Sequence, residues 1–274
     1  MPPDLDRMRA AARRASLIGG QAVRSGRRPA TGDAKGLPGD WVTDVDVASE
    51  RAIASFLGLA TPEIPIHGEE LGGVDEGLRW VVDPLDGTTN FLHGFWAVGV
   101  SVALVDEQTV LAGAVHAPFQ GDVWHGAHGA GATWERPQGD PAPCRVSDRS
   151  PEQAVVATGF PFRRKERLPR YLVVLERALL AFEDIRRAGA ASLDLAWVAC
   201  GVFEGFFELG LAAWDVAAGG LLVREAGGLV TDWAGTPDFL AGNILAGSPA
   251  IHAVLARVGA GSEPAPKDPE GSRP

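Results

Sequence analysis

The sequence predicts an α+β fold in which sheets and helices stack in layers. Three observations lead to it. Short apolar runs of strand character are mixed with longer runs at helical spacing along the 274 residues. They follow no strict strand–helix–strand rhythm, which argues against a doubly wound parallel sheet. Apolar residues make up 46% and charged residues 22%, a balance that can build a globular core. No stretch reaches the roughly 18 uninterrupted apolar residues of a membrane-spanning helix. The most apolar window, Trp96–Val105, is too short and reads as a buried strand or helix turn.

The first helix is predicted over residues 4–24, where Leu5, Met8, Ala11, Ala12, Ala15, Ile18 and Ala22 recur at helical spacing. Gly26–Gly39, with its glycines, prolines and lysine, reads as a mobile loop or a hairpin tip. Thr43–Asp46 offers caps for a second helix, Val47–Leu59. Ile64–His67 and Arg79–Val82 read as strands, and Pro84 is expected to end the second just after Asp83, because it has no N–H for a ladder. Val98–Val105 and Leu111–Ala117 form a hairpin about Asp106-Glu107-Gln108. Val123–Trp124 and Ala132–Trp134 flank the glycine-rich Gly126–Gly131. Those glycines partly match a dinucleotide fingerprint, but no strand–helix unit or acidic partner accompanies them, so a hairpin is expected.

Farther on, Val155–Thr158, Ile185–Arg187, Gly205–Glu208, Leu229–Asp232 and Asn243–Ala246 read as strands. Leu168–Leu180, Ser192–Gly201, Trp214–Ala226 and Pro249–Val258 read as helices. The loop Pro137–Pro143 divides an N-terminal half, residues 1–143, from a C-terminal half, 144–258. The tail, 259–274, is rich in glycine, proline and charge and is expected to be disordered.

The formal net charge is −10, which disfavours broad contact with a nucleic-acid backbone. Bound divalent cations would reverse that sign locally. The two cysteines, Cys144 and Cys200, are far apart in sequence. They suggest a reducing cytoplasm with no disulfide framework and no zinc cluster. No secretory signal is visible at the basic N-terminus.

The chemistry concentrates in Trp80-Val81-Val82-Asp83-Pro84-Leu85-Asp86-Gly87-Thr88-Thr89-Asn90. An apolar strand delivers one carboxylate, a second follows three residues later, and Gly87 permits close approach of a ligand to the backbone. If a helical turn starts there, the N–H groups of Gly87, Thr88 and Thr89 can face a phosphate. Alone, Asp-Pro-x-Asp-Gly is ordinary turn chemistry. Two further acids change the balance: Glu69, after a short strand, and Asp215, where a helix begins and an acid by itself would serve as a cap. Acids at Glu69, Asp83, Asp86 and Asp215 can form an oxygen-rich cage that suits magnesium.

Gly68-Glu69-Glu70, the run Asp83–Asn90 and Trp214-Asp215-Val216-Ala217-Ala218-Gly219 resemble, in order and spacing, three motifs of the inositol monophosphatase family. Thr43-Asp44-Val45-Asp46 and Arg187–Ser192 are similar to further landmarks, and the resemblance covers residues 5–256. It implies a layered αβαβα sandwich, a lithium-sensitive phosphatase that uses two or three magnesium ions, and a homodimer. Glu69, Asp83 and the Leu85 carbonyl would hold one ion; Asp83, Asp86 and Asp215 a second; Glu69 would also face a weaker third. Thr88 and Glu69 would orient and activate the attacking water, Asp46 would help orient Thr88 or a metal-bound water, and Lys35 would lie near the metals. Asp86, Gly87, Thr88, Gly189, Ala191, Glu208 and Asp215 would contact the substrate. Ala190, where some animal members have threonine, departs from the inositol-specific pattern. Phe160-Pro161-Phe162-Arg163 is similar to bacterial members, and Arg163 or Arg186 would touch substrate or the dimer partner.

Inositol monophosphate leads among substrates of this resemblance, with histidinol phosphate second and fructose-1,6-bisphosphate, NADP(H) and 3′-phosphoadenosine phosphate behind. A different enzyme class is suggested by Asp44-Val45-Asp46-Val47, which superficially matches an Asp-x-Asp phosphatase nucleophile, but no apolar strand precedes it. A binding role is the other alternative, because some bacterial relatives join transcription antitermination complexes. His67, His93, His116, His125, His128 and His252 are scattered and read as surface or supporting residues. Trp41, Trp80, Trp124, Trp197 and Trp214 read as packing, and Arg24–Arg28 and Arg163–Arg170 as solvated faces.

Overall fold

The computed structural model describes residues 3–29, 31–35 and 41–260. Residues 30 and 36–39 of the Gly26–Gly39 loop, and the tail from residue 261 on, lie outside the described residues. The chain begins with helix α1 (Leu5–Ser25), capped by the Asp4 side chain, and two short paired strands, β1 (Asp33–Ala34) and β2 (Trp41–Val42). Helix α2 (Asp44–Ala60) follows, with Thr43 and Asp46 forming a reciprocal capping box at its start. Next come β3 (Ile66–Gly68), β4 (Gly72–Gly73), β5 (Arg79–Asp86) and the short helix α3 (Thr88–His93). A meander of β6 (Gly99–Asp106), β7 (Thr109–Ala117), β8 (Asp122–Ala127), β9 (Ala132–Glu135) and β10 (Ala142–Pro143) closes the first sheet. The remaining elements are β11 (Val155–Thr158), α4 (Leu168–Ala181), β12 (Asp184–Arg186), α5 (Ala191–Ala199), β13 (Gly205–Glu208), α6 (Ala213–Glu225), β14 (Leu229–Thr231), β15 (Ile244–Gly247) and α7 (Pro249–Gly259).

Eight strands form one sheet in the order β10-β9-β8-β7-β6-β5-β3-β4, antiparallel except where β3 lies parallel to β5. Five form a second, β12-β11-β13-β15-β14, which is parallel on one side of β13 and antiparallel on the other. Helices α1 and α2 cover one face of the large sheet, α5 and α6 lie between the sheets, and α4 and α7 cover the outer face of the small one. The stack is therefore αβαβα, as the resemblance implies.

Period-two alternation explains the layering. In β5 and β6, Trp80, Val82, Val100, Val102 and Leu104 pack toward α1 and α2, whereas Val81, Ala103 and Val105 pack toward α5 and α6. A sheet buried on both faces shows an unbroken apolar run rather than alternation, which is why these strands look uniform in sequence. Helix α6 sits between two sheets and buries an unbroken run from Val216 to Val223, not a single stripe.

One expectation needs correction. Pro84 does not end its strand: β5 runs on to Asp86. The missing N–H is absorbed by a shift in register, with Asp83 opposite Ser101 and Asp86 opposite Gly99. Cys144 and Cys200, distant in sequence, both belong to the core around α5 and α6; both are free. Among the described residues no helix is long and apolar enough to cross a membrane.

Candidate metal centre

The register shift in β5 is what makes the site. In a regular strand, residues three apart point to opposite faces. Here three steps on β5 match two on β6, so Asp83 and Asp86 regain the same face. The Leu85 N–H donates to Asp83 Oδ1 at 3.0 Å and stiffens the turn between them. Gly87 then adopts φ 92°, and a Cβ there would also come within 2.9 Å of the Ala97 carbonyl, so only glycine fits the corner that starts α3.

Asp215 arrives from the other side of the core at the third position of α6. One of its oxygens caps the helix, accepting from the Ala212 N–H at 2.6 Å. The Trp214 carbonyl accepts from Ser101 Oγ at 3.0 Å, which pins the start of α6 to β6. His67 stacks on Trp214 with 5.6 Å between ring centres. Asp83, Asp86 and Asp215 thus offer carboxylate oxygens that all lie within 4.8 Å of one another.

The electrostatics of this trio fit a hard cation. Burial, then repulsion from Glu69, Asp86 and Asp215, pushes Asp83 well above the usual carboxylate range. Burial also raises Asp86 to about 6, against the pull of Ser192, and raises Asp215 to about 8, with Asp86 and Glu69 adding to it. Two buried carboxylates and a partly buried third, facing one another, are an oxygen-only donor set whose repulsion a divalent cation would relieve.

Glu69 lies outside that trio but lines the same cleft, of about 800 Å³, with Asp83, Asp86 and Asp215. Its N–H bonds the Val82 carbonyl at 3.1 Å, which keeps it beside the end of β5. Lys35 Nζ donates to Glu69 Oε1 at 2.9 Å and also to Glu70. Burial opposes the charge on Lys35, but Glu69 and Glu70 outweigh it and raise the ammonium above its ordinary value. Glu70 is raised to about 7, by burial first.

Thr88 Oγ1 lies 3.1 Å from Asp46 Oδ1 and 3.3 Å from the Leu85 carbonyl. The other oxygen of Asp46 accepts from the Thr43 N–H at 2.9 Å and from the Thr43 hydroxyl. Asp46 therefore sits inside a helix capping box, not at a strand end as an aspartyl nucleophile of the Asp-x-Asp type would. Gly87, Thr88, Gly189 and Ala191 line the cleft, as does Glu208 at the end of β13. Burial raises Glu208 to about 8, Asp215 adds to that, and Arg187 draws it back.

Several participants escaped the sequence. Ser192 donates its N–H at 2.7 Å and its hydroxyl at 2.6 Å to Asp86 Oδ2. Asn90 Nδ2 donates to the Ala97 and Ala188 carbonyls at 2.7 and 2.9 Å, tying α3 to the loop before α5. Buried Glu50 accepts from the Glu70 and Leu71 N–H groups at 2.8 and 2.9 Å and so fixes the turn that carries Glu69. Asp194, 1% exposed, keeps an oxygen with no partner among the described residues. Trp41, read as packing, lines the cleft. So does Arg187, whereas its neighbour Arg186 pairs with Asp184 at 2.5 Å.

Comparison with known proteins agrees with this architecture. The chain is 40% identical over 226 residues to Nus factor SuhB of Escherichia coli (strain K12), covering 80% of this chain and 82% of that protein. Its structure is similar to that of extragenic suppressor protein suhB from Bartonella henselae, with TM-score 0.84, 36% identity and coverage of 93% and 99% of the two chains. It is also similar to the inositol monophosphatase from Anabaena (Nostoc) sp. PCC 7120, with TM-score 0.81, 33% identity and coverage of 93% and 96%. The inositol monophosphatase family model matches residues 4–260, and with the carboxylates of β5 and α6 converging as they do, the chain belongs to that family.

Proposed function

We propose that the protein hydrolyses a small phosphate monoester in the presence of magnesium, with a polyol phosphate such as inositol monophosphate as its substrate. The convergence of Asp83, Asp86 and Asp215 carries this reading. Those three, with Glu69 and the Leu85 carbonyl, would hold the ions. Magnesium, when bound, supplies positive charge that neutralises phosphate oxygens and makes a water more acidic.

The chain's own residues then have distinct tasks. Asp46 Oδ1 accepts the hydrogen bond that the Thr88 hydroxyl donates, which leaves a lone pair on Thr88 Oγ1 to accept from the attacking water and aim it at phosphorus. Glu69, the carboxylate beside β5 outside the trio, receives the proton that water releases. Lys35 keeps Glu69 in place and adds positive charge at the same end. Attack forms a new phosphorus–oxygen bond and breaks the one to the alcohol, whose alkoxide takes a proton from solvent water, giving inorganic phosphate and the free alcohol. Glu208 accepts hydrogen bonds from substrate hydroxyls, with Gly189 and Ala191 lining the same cleft.

Magnesium-dependent release of phosphate from inositol monophosphate, lost in Asp83→Asn and suppressed by millimolar-range lithium, is the expected result. Full turnover in chelator would refute the mechanism. A second reading is supported by relatives named Nus factor SuhB: contact with a transcription complex. Retention of transcription partners by an Asp83→Asn protein that no longer hydrolyses phosphate would establish it as a separate function. We also expect a homodimer, for which the exposed Phe95 and Trp96, at 43% and 49%, offer an apolar surface. Sedimentation would read the assembly directly. Two free cysteines in the core are consistent with a reducing cytoplasm as its place of work.

A further inference from the structure

We propose that Asp194, on α5, is a positioning residue for substrate recognition: it donates a hydrogen bond to Glu208, directly or through one water, and holds that carboxylate toward the substrate's hydroxyl groups. This rests on the phosphatase reading and adds a buried residue to the end of the cleft that takes the polyol.

Two placements turn these acids toward each other. Side chains alternate along β13: Phe206 joins the core around α5 and α6, and Phe207 the core beneath α4 and α7. Glu208 therefore projects on the same side as Phe206, toward the layer that holds α5. Its carboxylate lies over the Gly159 backbone, where a Cβ would collide with it. On α5, Asp194 stands three residues after Ala191, on the same side of the helix and one turn further in. Ala191 lines the cleft with Gly159 and Glu208. Asp194 lies behind that wall, 1% exposed, and its Oδ1 has no hydrogen-bond partner among the described residues.

A carboxyl in that position is a donor rather than a charge. Burial, then Glu208 and Asp86, push Asp194 well above the ordinary carboxylate range, against Arg187. A neutral carboxyl carries an O–H, and leaving it unpaired in a buried site costs free energy. Glu208 is the acceptor on the facing strand. Burial raises it to about 8, with Asp215 and Asp86 adding and Arg187 and Arg163 opposing. One proton held between the two acids leaves a single negative charge, which accepts from substrate hydroxyls. The plainer role for Asp194 is an ionised acid in the first turn of α5, favoured by the helix dipole. That role needs the charge and is lost in Asp194→Asn, whereas the asparagine amide still donates.

The test measures kcat and KM, with magnesium, for inositol 1-phosphate and for phenyl phosphate, which has no hydroxyl group beyond its phosphate. Asp194→Ala and Asp194→Leu should raise KM for inositol 1-phosphate about tenfold, the worth of one charge-assisted hydrogen bond, and change kcat and the phenyl phosphate KM much less. Asp194→Asn should recover most of that loss. In a Glu208→Gln background, Asp194→Ala should add little, because the two acids act as a unit. Equal KM rises for the two compounds, a loss in Asp194→Asn as large as in Asp194→Ala, or an unchanged KM in both the Ala and Leu variants would overturn the positioning role while the phosphatase reading stands. Absence of magnesium-dependent turnover of either compound by the native protein would overturn the phosphatase reading instead. Calorimetric binding of inositol 1-phosphate with calcium, which takes the same oxygen ligands, then decides the role of Asp194. Binding weakened in Asp194→Ala and restored in Asp194→Asn would support it; equal binding in all three proteins, or none, would overturn it.

Discussion

Ser192 grips a single oxygen of Asp86 with two donors, its N–H at 2.7 Å and its hydroxyl at 2.6 Å. Both bonds favour the ionised carboxylate and fix which lone pairs remain for an ion. Ser192→Ala removes the hydroxyl and keeps the N–H. Its expected effect is a loss of magnesium affinity of about tenfold, with kcat at saturating magnesium changed much less. Titration of activity against magnesium reads it, and an unchanged midpoint would contradict the assignment.

Thr88 offers a sharper test of water positioning, because its hydroxyl reaches Asp46 Oδ1 at 3.1 Å. Thr88→Val keeps the shape and removes the hydroxyl, so kcat should fall about a hundredfold. Thr88→Ser should recover most of it. Equal loss in both variants would point to a packing defect instead.

The carboxylate trio predicts a pH-dependent response to metal. Burial lifts Asp86 to about 6 and Asp215 to about 8, both from an ordinary 3.8. A raised carboxylate favours the folded state while it is protonated. That contribution is full below the unfolded value and is lost as pH climbs through the folded one. In chelator, thermal stability should therefore decline between about pH 4 and pH 8. Magnesium needs the ionised forms, so the rise in Tm on adding it should be larger near pH 8 than near pH 5. Melting curves at the two pH values decide it, and an equal rise at both would count against the trio as the binding site.

Glu50 anchors the turn that presents Glu69. Its oxygens accept the Glu70 and Leu71 N–H groups, and a Cβ on Gly68 would fall 1.9 Å from Glu50 Oε1. Glu50→Ala leaves those two N–H groups without their acceptor and should cost about 2 kcal/mol of stability. Gly68→Ala should displace the same carboxylate by crowding. Denaturant midpoints and kcat measured together should fall in both variants; native kcat in Gly68→Ala would show that Glu69 does not depend on this anchor.

Much of this was legible in the sequence because its signals are local. Helical spacing places α1 and α4, and the glycines of Gly126–Gly131 correctly announce the β8–β9 hairpin. Asp83, Asp86 and Asp215 stood out by residue type at the ends of apolar runs. What the sequence concealed depends on partners far along the chain. Proline's missing N–H suggested the end of a strand, but the pairing with β6 absorbs it as a register shift. Ser192 gains its role only from Asp86 across the layer boundary, and Arg187 rather than Arg186 faces the cleft because β12 turns Arg186 toward Asp184. Nothing in a run of two arginines distinguishes one from the other.

The carboxylates come from β5 in the large sheet and from the first turn of α6 in the middle layer. An ion caught among them acts as a rivet through two strata of the molecule. Any looseness between those strata, introduced far away along the packed face of α6, would first be felt as weakened grip on the ion, before any chemical group in the cleft had been touched.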